Sequence, residues 1–414
     1  MRRSVLGGLV VAAITLALVV GDRAGGALGA VGGARTATAR CPGGDGHRRN
    51  PANPLDLPTA QGANPLTGAK LFVEGPGYGM AASAIAKLLG RDPAGFGETS
   101  WERFSAELTS GSYAAQLDGS PGLAHQINLL SKIASQPETA RFSVFTAGGG
   151  PGAILSQVQK FVCRVGRADP SAVPVIATYF LTHTGNCHTN VDGPASQAVF
   201  RRHVHELALG LGDHRFVMFA ELDAVDTSPC LSRAGLAARL KELKYEVDTL
   251  AALPHGVVYL EGGASDANTA RYAAGILNKV DVRRIRGFYV GDTHAAWTAD
   301  EIKLGNAISR LTHGAHFIVN TSGNGNGPKL NPHPVSQGIE DLCNPPGRGL
   351  GHIPTTATGI RLVDAFEWTG TPGRSAGVCG VSKSPPGSFD LGLALGLAAN
   401  ANNRLGPRDP SQPY

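Results

Sequence analysis

Carboxylates that follow apolar runs are the first residues in this sequence that point to chemistry. The run Arg215-Phe216-Val217-Met218-Phe219-Ala220 ends in Glu221-Leu222-Asp223, Gly256–Leu260 ends in Glu261, and Arg286–Val290 leads into Gly291-Asp292-Thr293-His294. A polar loop after Val173–Phe180 carries Asn186, Cys187 and Asp192, and Trp297, Asn320, Asn344 and Trp368 add amides and aromatics further on. Carboxylates at several strand ends suit general acid–base work, as on sugars. No Cys/His metal spacing and no Gly-x-Ser-x-Gly nucleophile turn is present, so neither a metal nor a cofactor is expected. Each acid also has a plainer reading. Asp192, beside Gly193, fits a turn or helix cap, and Glu261 and Asp292 fit structural ion pairs as well as a pocket.

The elements that must hold these residues alternate. Apolar, β-branched runs at 141–145, 173–180, 215–220, 256–261, 286–290, 316–320 and 360–368 read as buried strands. An earlier strand is expected at Lys70–Glu74. Helical spacing follows most of them, at 153–162, 194–209, 231–250, 268–277 and 298–311, with a last helix near 390–399. Repeated β-then-α units imply a parallel sheet, and seven or eight of them favour closure into a barrel with function where the strand ends converge. Gly148-Gly149-Gly150 lacks a phosphate loop's lysine and reads as a turn. Trp101 and Phe104 read as core rather than sugar platform.

The chain has 414 residues, 42% of them hydrophobic and only 17% charged, with a net charge of +5. The charge is dispersed, so nucleic acid is not implied. Residues 1–30 combine a basic start, the apolar run Val5–Val20 and small residues up to Ala30, which reads as a secretory signal peptide; an uncleaved anchor is the rival reading. A protein without membrane insertion after cleavage, outside the cell or at its wall, and monomeric, is expected. Residues 31–62 read as a disordered linker, 63–405 as one domain and 406–414 as a tail. Six cysteines in an exported chain suggest disulfides. Cys187 with Cys230, and Cys343 with Cys379, would each close a loop of about 40 residues, worth roughly 4 kcal/mol on the chain-entropy estimate. Cys41 and Cys163 then pair with each other or stay free.

The pieces also resemble a known family. Asn64-Pro65-Leu66, Asn186-Cys187, Glu221-Leu222-Asp223 with Cys230, Trp297-Thr298-Ala299-Asp300-Glu301, Asn320-Thr321-Ser322-Gly323-Asn324-Gly325-Asn326-Gly327-Pro328, Cys343-Asn344-Pro345-Pro346-Gly347-Arg348 and Val363–Trp368 up to Cys379 occur in the order and near the spacing of glycoside hydrolase family 6. That family comprises secreted endoglucanases and cellobiohydrolases. The resemblance covers roughly residues 64–400. It implies an α/β fold, a distorted parallel barrel of about seven strands, and a polysaccharide or oligosaccharide partner.

The family inverts at the anomeric carbon. One aspartic acid protonates the leaving oxygen, and a second carboxylate assists a water from the opposite face, roughly 6.5–9.5 Å away. The acid normally precedes the cysteine matched by Cys187, where this chain has Asn186. The base aspartate lies in a Lys-x-Pro-Gly-Glu-x-Asp-Gly stretch, here Gly370-Thr371-Pro372-Gly373-Arg374-Ser375-Ala376-Gly377. Lysine has become Gly370, glutamate Arg374 and the base Ala376. Two sugar-contacting aspartates are Asn320 and Asn344, an arginine is Gly323, a His-Ser-Ala-Trp platform is Ala264-Ser265-Asp266-Ala267, and an Asn-Tyr pair is His294-Ala295. Asp223 matches the family aspartate that supports the acid and the distorted sugar. The resemblance therefore implies a cellulase-type protein that binds β-1,4-glucan or a related wall polysaccharide, with ordinary inverting hydrolysis impaired. The rivals are an active endoglucanase using relocated carboxylates such as Asp192, Glu261 or Asp292, and a non-catalytic wall-associated scaffold.

Overall fold

Seven strands form one parallel sheet in chain order: β1 (Ala140–Ser143), β2 (Val175–Tyr179), β3 (Phe216–Ala220), β4 (Gly256–Glu261), β5 (Gly287–Val290), β6 (His316–Asn320) and β7 (Val363–Glu367). The computed structural model describes residues 62–145, 150–181, 194–328 and 343–406. Each strand pairs with the next in sequence. Among the described residues no ladder joins β1 to β7, so the sheet is a curled half-barrel with two edges. The expected signal and linker segments, Asn186, Cys187 and Asp192 lie outside the described residues.

Alternation sorts the strand residues into two layers, because successive side chains leave a strand on opposite faces. Val175, Ala177, Val217, Phe219, Val257, Tyr259, Tyr289, Ile318 and Ala365 fill the inside of the half-barrel, with Leu66 beside them. Ile176, Phe216, Met218, Val258, Leu260, Phe288, Phe317 and Val319 face outward onto the crossover helices. Those helices are α5 (Ala153–Ala168), α6 (Pro194–Leu211), α7 (Arg233–Leu250), α8 (Ala270–Lys279) and α9 (Thr298–Leu311). Gly305 on α9 admits the Phe317 ring, which would stand 2.2 Å from a Cβ there. A second core joins α1 (Met80–Leu88), α2 (Trp101–Leu108), α4 (Pro121–Ala134) and α10 (Leu391–Ala399), while α3 (Gly111–Asp118) connects α2 to α4. Trp101 and Phe104 pack in this core.

Side chains fix the helix starts. Ser232, Thr269 and Asp390 accept backbone N–H groups of the first turns of α7, α8 and α10. Glu206 of α6 accepts from Gly152 at 2.7 Å and Ile154 at 3.1 Å, placing a carboxylate at the positive end of α5. At the amino ends of the strands, buried Asp364 takes Arg286 Nε at 2.6 Å, the Tyr259 hydroxyl at 2.8 Å and lies 2.9 Å from His316 Nδ1. Burial favours the neutral acid, but Arg286 and His316 hold the Asp364 carboxyl below its usual range.

The expected strand at Lys70–Glu74 shrinks to a bridge between Leu71 and Val173. The chain turns away at Gly75-Pro76-Gly77, and Glu74 is drawn instead to Arg164 at 2.6 Å. No helix among the described residues is long and apolar enough to cross a membrane.

Candidate active site

The carboxyl ends of β2 to β7 converge on one mouth, and the chain leaves β3 into it by a strained path. Glu221 and Asp223 both hold left-handed backbone, with φ of 50° and 56°. Such conformations cost energy in non-glycine residues and concentrate at functional sites. The buried Glu221 carboxylate accepts from Phe180 N at 2.9 Å and Leu181 N at 2.8 Å, tying β3 to the end of β2. Burial pushes its pKa up to about 7, against those hydrogen bonds.

Asp223 faces the mouth. Its Oδ1 accepts from the Thr293 hydroxyl at 3.0 Å and its Oδ2 from the Tyr179 hydroxyl at 3.4 Å. Its backbone N–H donates to Asp292 Oδ2 at 3.2 Å, so two acids from β3 and β5 meet here. Asp292 also accepts from the Tyr289 and Thr369 hydroxyls, each at 3.4 Å. Burial and the Asp223 charge push the Asp292 carboxyl up to about 7, with Arg141 opposing. Burial and Asp226 raise Asp223 as well, with Thr293, His294 and Arg141 opposing. Two close acids in a dry site cannot both ionise cheaply, which leaves one of them as a proton holder near neutral pH.

Beside them stands a buried ion triad. His294 Nε2 lies 2.7 Å from Asp226 Oδ2, and Nδ1 lies 2.8 Å from Asp266 Oδ1. Burial alone would disfavour the imidazolium, but the two carboxylates hold its pKa up to about 11. Histidine here is a fixed cation joining the loops after β3, β4 and β5.

The remaining sequence candidates take other positions. Glu261 is fully buried and accepts from the backbone N–H groups of Val225, Asp226 and Gly263. Its oxygens hold the loop after β3. Burial, Asp226 and Asp292 raise its pKa well above the usual carboxylate value. Asn320 donates to Gly291 O at 3.0 Å and to Asp292 O, while its oxygen accepts from Ser322 N at 3.1 Å and Thr369 N at 3.3 Å. Its amide is thus spent on backbone. Asn344 does the same for the loop after β7, donating to Gly377 O at 2.8 Å and accepting from Ala376 N at 3.0 Å. Trp297 lies against Gly327, where a Cβ would stand 2.1 Å from the indole. Trp368, expected at the pocket, is only 2% exposed, with its indole N–H donating to His352 O at 3.0 Å. It belongs to the second core because the chain beyond β7 turns toward α1, α4 and α10.

Ala376, where the sequence resemblance places the base, is exposed, and its loop carries no acid between Gly370 and Cys379. Arg374 sits half-buried there, its pKa lowered to about 10 by burial and Arg141. Cys343 and Cys379 form the expected disulfide. Cys163 and Cys230 are also disulfide-bonded, their partners lying outside the described residues.

Sequence reasoning did not single out Tyr179, Thr293 or Arg141, and it named His294 and Asp266 without linking them to Asp226 as a triad. Tyr179 had a usable signal, since it shares strand parity with inward Val175 and Ala177. The triad had none, because its members come from three different loops.

The described geometry has counterparts among known proteins. Endoglucanase 1 of Streptomyces sp. (strain KSM-9) is 30% identical over 288 residues, spanning 69% of this chain and 75% of that protein. Endoglucanase A of Cellulomonas fimi is 28% identical over 274 residues, spanning 66% of this chain but 56% of that protein. The endoglucanase Cel6 of Mycobacterium tuberculosis, solved in complex with a methyl-cellobiosyl thio-cellobioside, superposes with a TM-score of 0.64 at 29% identity, covering 82% of this chain and 99% of that one. Endoglucanase CEL6B of Humicola insolens shares the fold at 15% identity and a TM-score of 0.62, over 83% of this chain and all of that one (100%). The family described as glycosyl hydrolases family 6 matches residues 122–390. With seven parallel strands curled into the same half-barrel, this chain belongs to glycosyl hydrolases family 6.

Proposed function

We propose that this chain is a secreted β-1,4-glucan-binding protein of the family-6 type in which ordinary inverting hydrolysis is impaired. The observation that carries this reading is the base position. Ala376 presents a methyl group, and its N–H is held by Asn344, so the loop from Gly370 to Cys379 offers no carboxylate to activate water. The acid position is Asn186, an amide with no proton to give. Acid and base catalysis each contribute about 10²–10⁴-fold. The relatives' names support the ligand class, and the solved Mycobacterium tuberculosis relative holds a cellobioside.

A second reading has one observation in its favour. Asp292, pushed up to about 7, keeps a proton near neutral pH and stands beside Asp223. In a working endoglucanase with relocated carboxylates, Asp292 would protonate the leaving oxygen. The two acids adjoin on one wall, however, whereas inversion needs them astride the sugar with room for water.

Affinity electrophoresis in a soluble β-1,4-glucan, run beside a reducing-end assay, tests the proposal. Retardation with little or no reducing-end release is expected. Turnover at the rate of a family endoglucanase overturns the impairment. Absence of retardation by any β-glucan leaves only the scaffold reading.

A further inference from the structure

One large aromatic at the mouth is left in water. Phe145 is 78% exposed, although it lies only two residues beyond β1. The preceding residue still continues the ladder, Val144 N–H donating to Tyr179 O at 3.2 Å. The Phe145 ring lies 5.9 Å from the Tyr179 ring and is tilted 46° to it. Tyr179 in turn donates to Asp223, so the exposed phenyl stands one side chain from the mouth's carboxylates.

Arg141 lies on the same edge. Pairing places Arg141 opposite Ala177 and Ser143 opposite Tyr179, so Arg141 shares the inward face of the half-barrel. Its guanidinium is half-buried and makes no hydrogen bond or ion pair among the described residues. A Cβ at Gly370 would stand 3.2 Å from its Nη2, so the loop after β7 approaches it closely. The neighbourhood is therefore a bare aromatic face rimmed by hydrogen-bonding groups: Arg141, the Tyr179 hydroxyl, Thr293 and Asp223.

We propose that Phe145 is the floor of a pyranose subsite on the β1 edge, with Arg141 donating to hydroxyls of the same glucan chain. This rests on the glucan-binding reading above. A β-linked glucopyranose carries C–H groups on its faces and hydroxyls round its edge. It can cover a phenyl ring while satisfying polar groups at the rim, which a wholly apolar ligand cannot do. The subsite supplies the aromatic platform that Trp368, buried elsewhere, does not.

The test is titration of cellotetraose into the full-length protein and its F145A, F145W and R141Q variants, followed by calorimetry. Phe145 is exposed, so its two substitutions leave the fold in place, and a thermal midpoint measured for R141Q separates lost binding from lost stability. Phe145→Ala is expected to weaken binding about three- to tenfold. Phe145→Trp retains it, and Arg141→Gln weakens it independently. Wild-type binding that Phe145→Ala leaves unchanged overturns the subsite while sparing the glucan reading. A wild type that binds no cellotetraose or soluble β-glucan overturns that reading and the subsite together.

Discussion

On the β3–β5 side of the mouth, Asp223, Asp226, Asp266, Asp292 and His294 crowd into one network. Across from it, the loop from Gly370 to Cys379 has Arg374 as its sole charged residue and is held by neutral hydrogen bonds through Asn344 and a disulfide. The first wall is built so that each charge depends on its neighbours. The second carries its shape in backbone contacts, so side chains at its tip can change without disturbing the fold. On the reading proposed above, a water-activating carboxylate can therefore be lost from the second wall while the cleft keeps its architecture.

The largest effect is expected where charges are interlocked. His294→Leu leaves Asp226 and Asp266 facing each other without their cation, and should cost on the order of 3–5 kcal/mol in urea unfolding. A cost below about 1 kcal/mol would mean that the first wall is as loosely held as the second. On the opposite side, Cys343→Ser with Cys379→Ser should cost about 2–4 kcal/mol by releasing the loop they close. That variant tests whether the neutral wall relies on its covalent staple.

A third contrast lies in pH dependence. Asp292, Glu221, Glu138 and Glu301 are pushed up to about 7, and Glu367 to about 8, chiefly by burial. Their folded values lie above their unfolded values, so the folded state binds more protons between pH 4 and 8. Stability is then fully present near pH 4 and is lost as pH rises through 7 to 8. Thermal midpoints should fall from pH 5 to pH 8. Asp292→Asn should flatten that slope by on the order of 1–2 kcal/mol. A slope unchanged in the variant would place the proton elsewhere. The smallest effect is expected at the exposed tip, where Ala376→Asp should change stability by no more than about 0.5 kcal/mol.

Much of the frame was legible in the chain itself. β4, β6 and α9 fall where their apolar runs and spacing put them, because strands buried on both faces read as continuous β-branched and aromatic runs. The mouth was legible too, since strand ends in a parallel α/β fold must converge. Side-chain direction was not. Asn320 ends β6 and Trp368 follows β7, yet the tryptophan turns into the helical core and the asparagine is consumed by Gly291 and Asp292 carbonyls. Glu261 reads as a strand-end acid, but its role is to hold three backbone amides. These outcomes depend on contacts with distant loops, which no local pattern encodes. Lys70–Glu74 failed as a strand for a similar reason: Arg164, far along the chain, takes Glu74.

The most direct measurement is reducing-end release from a soluble cellulose derivative by the wild type and by the variant carrying both Asn186→Asp and Ala376→Asp. Restoring a proton donor and a water-activating carboxylate should raise kcat/KM by about 10²-fold or more. A wild type that already turns over as fast as the double variant would contradict the account.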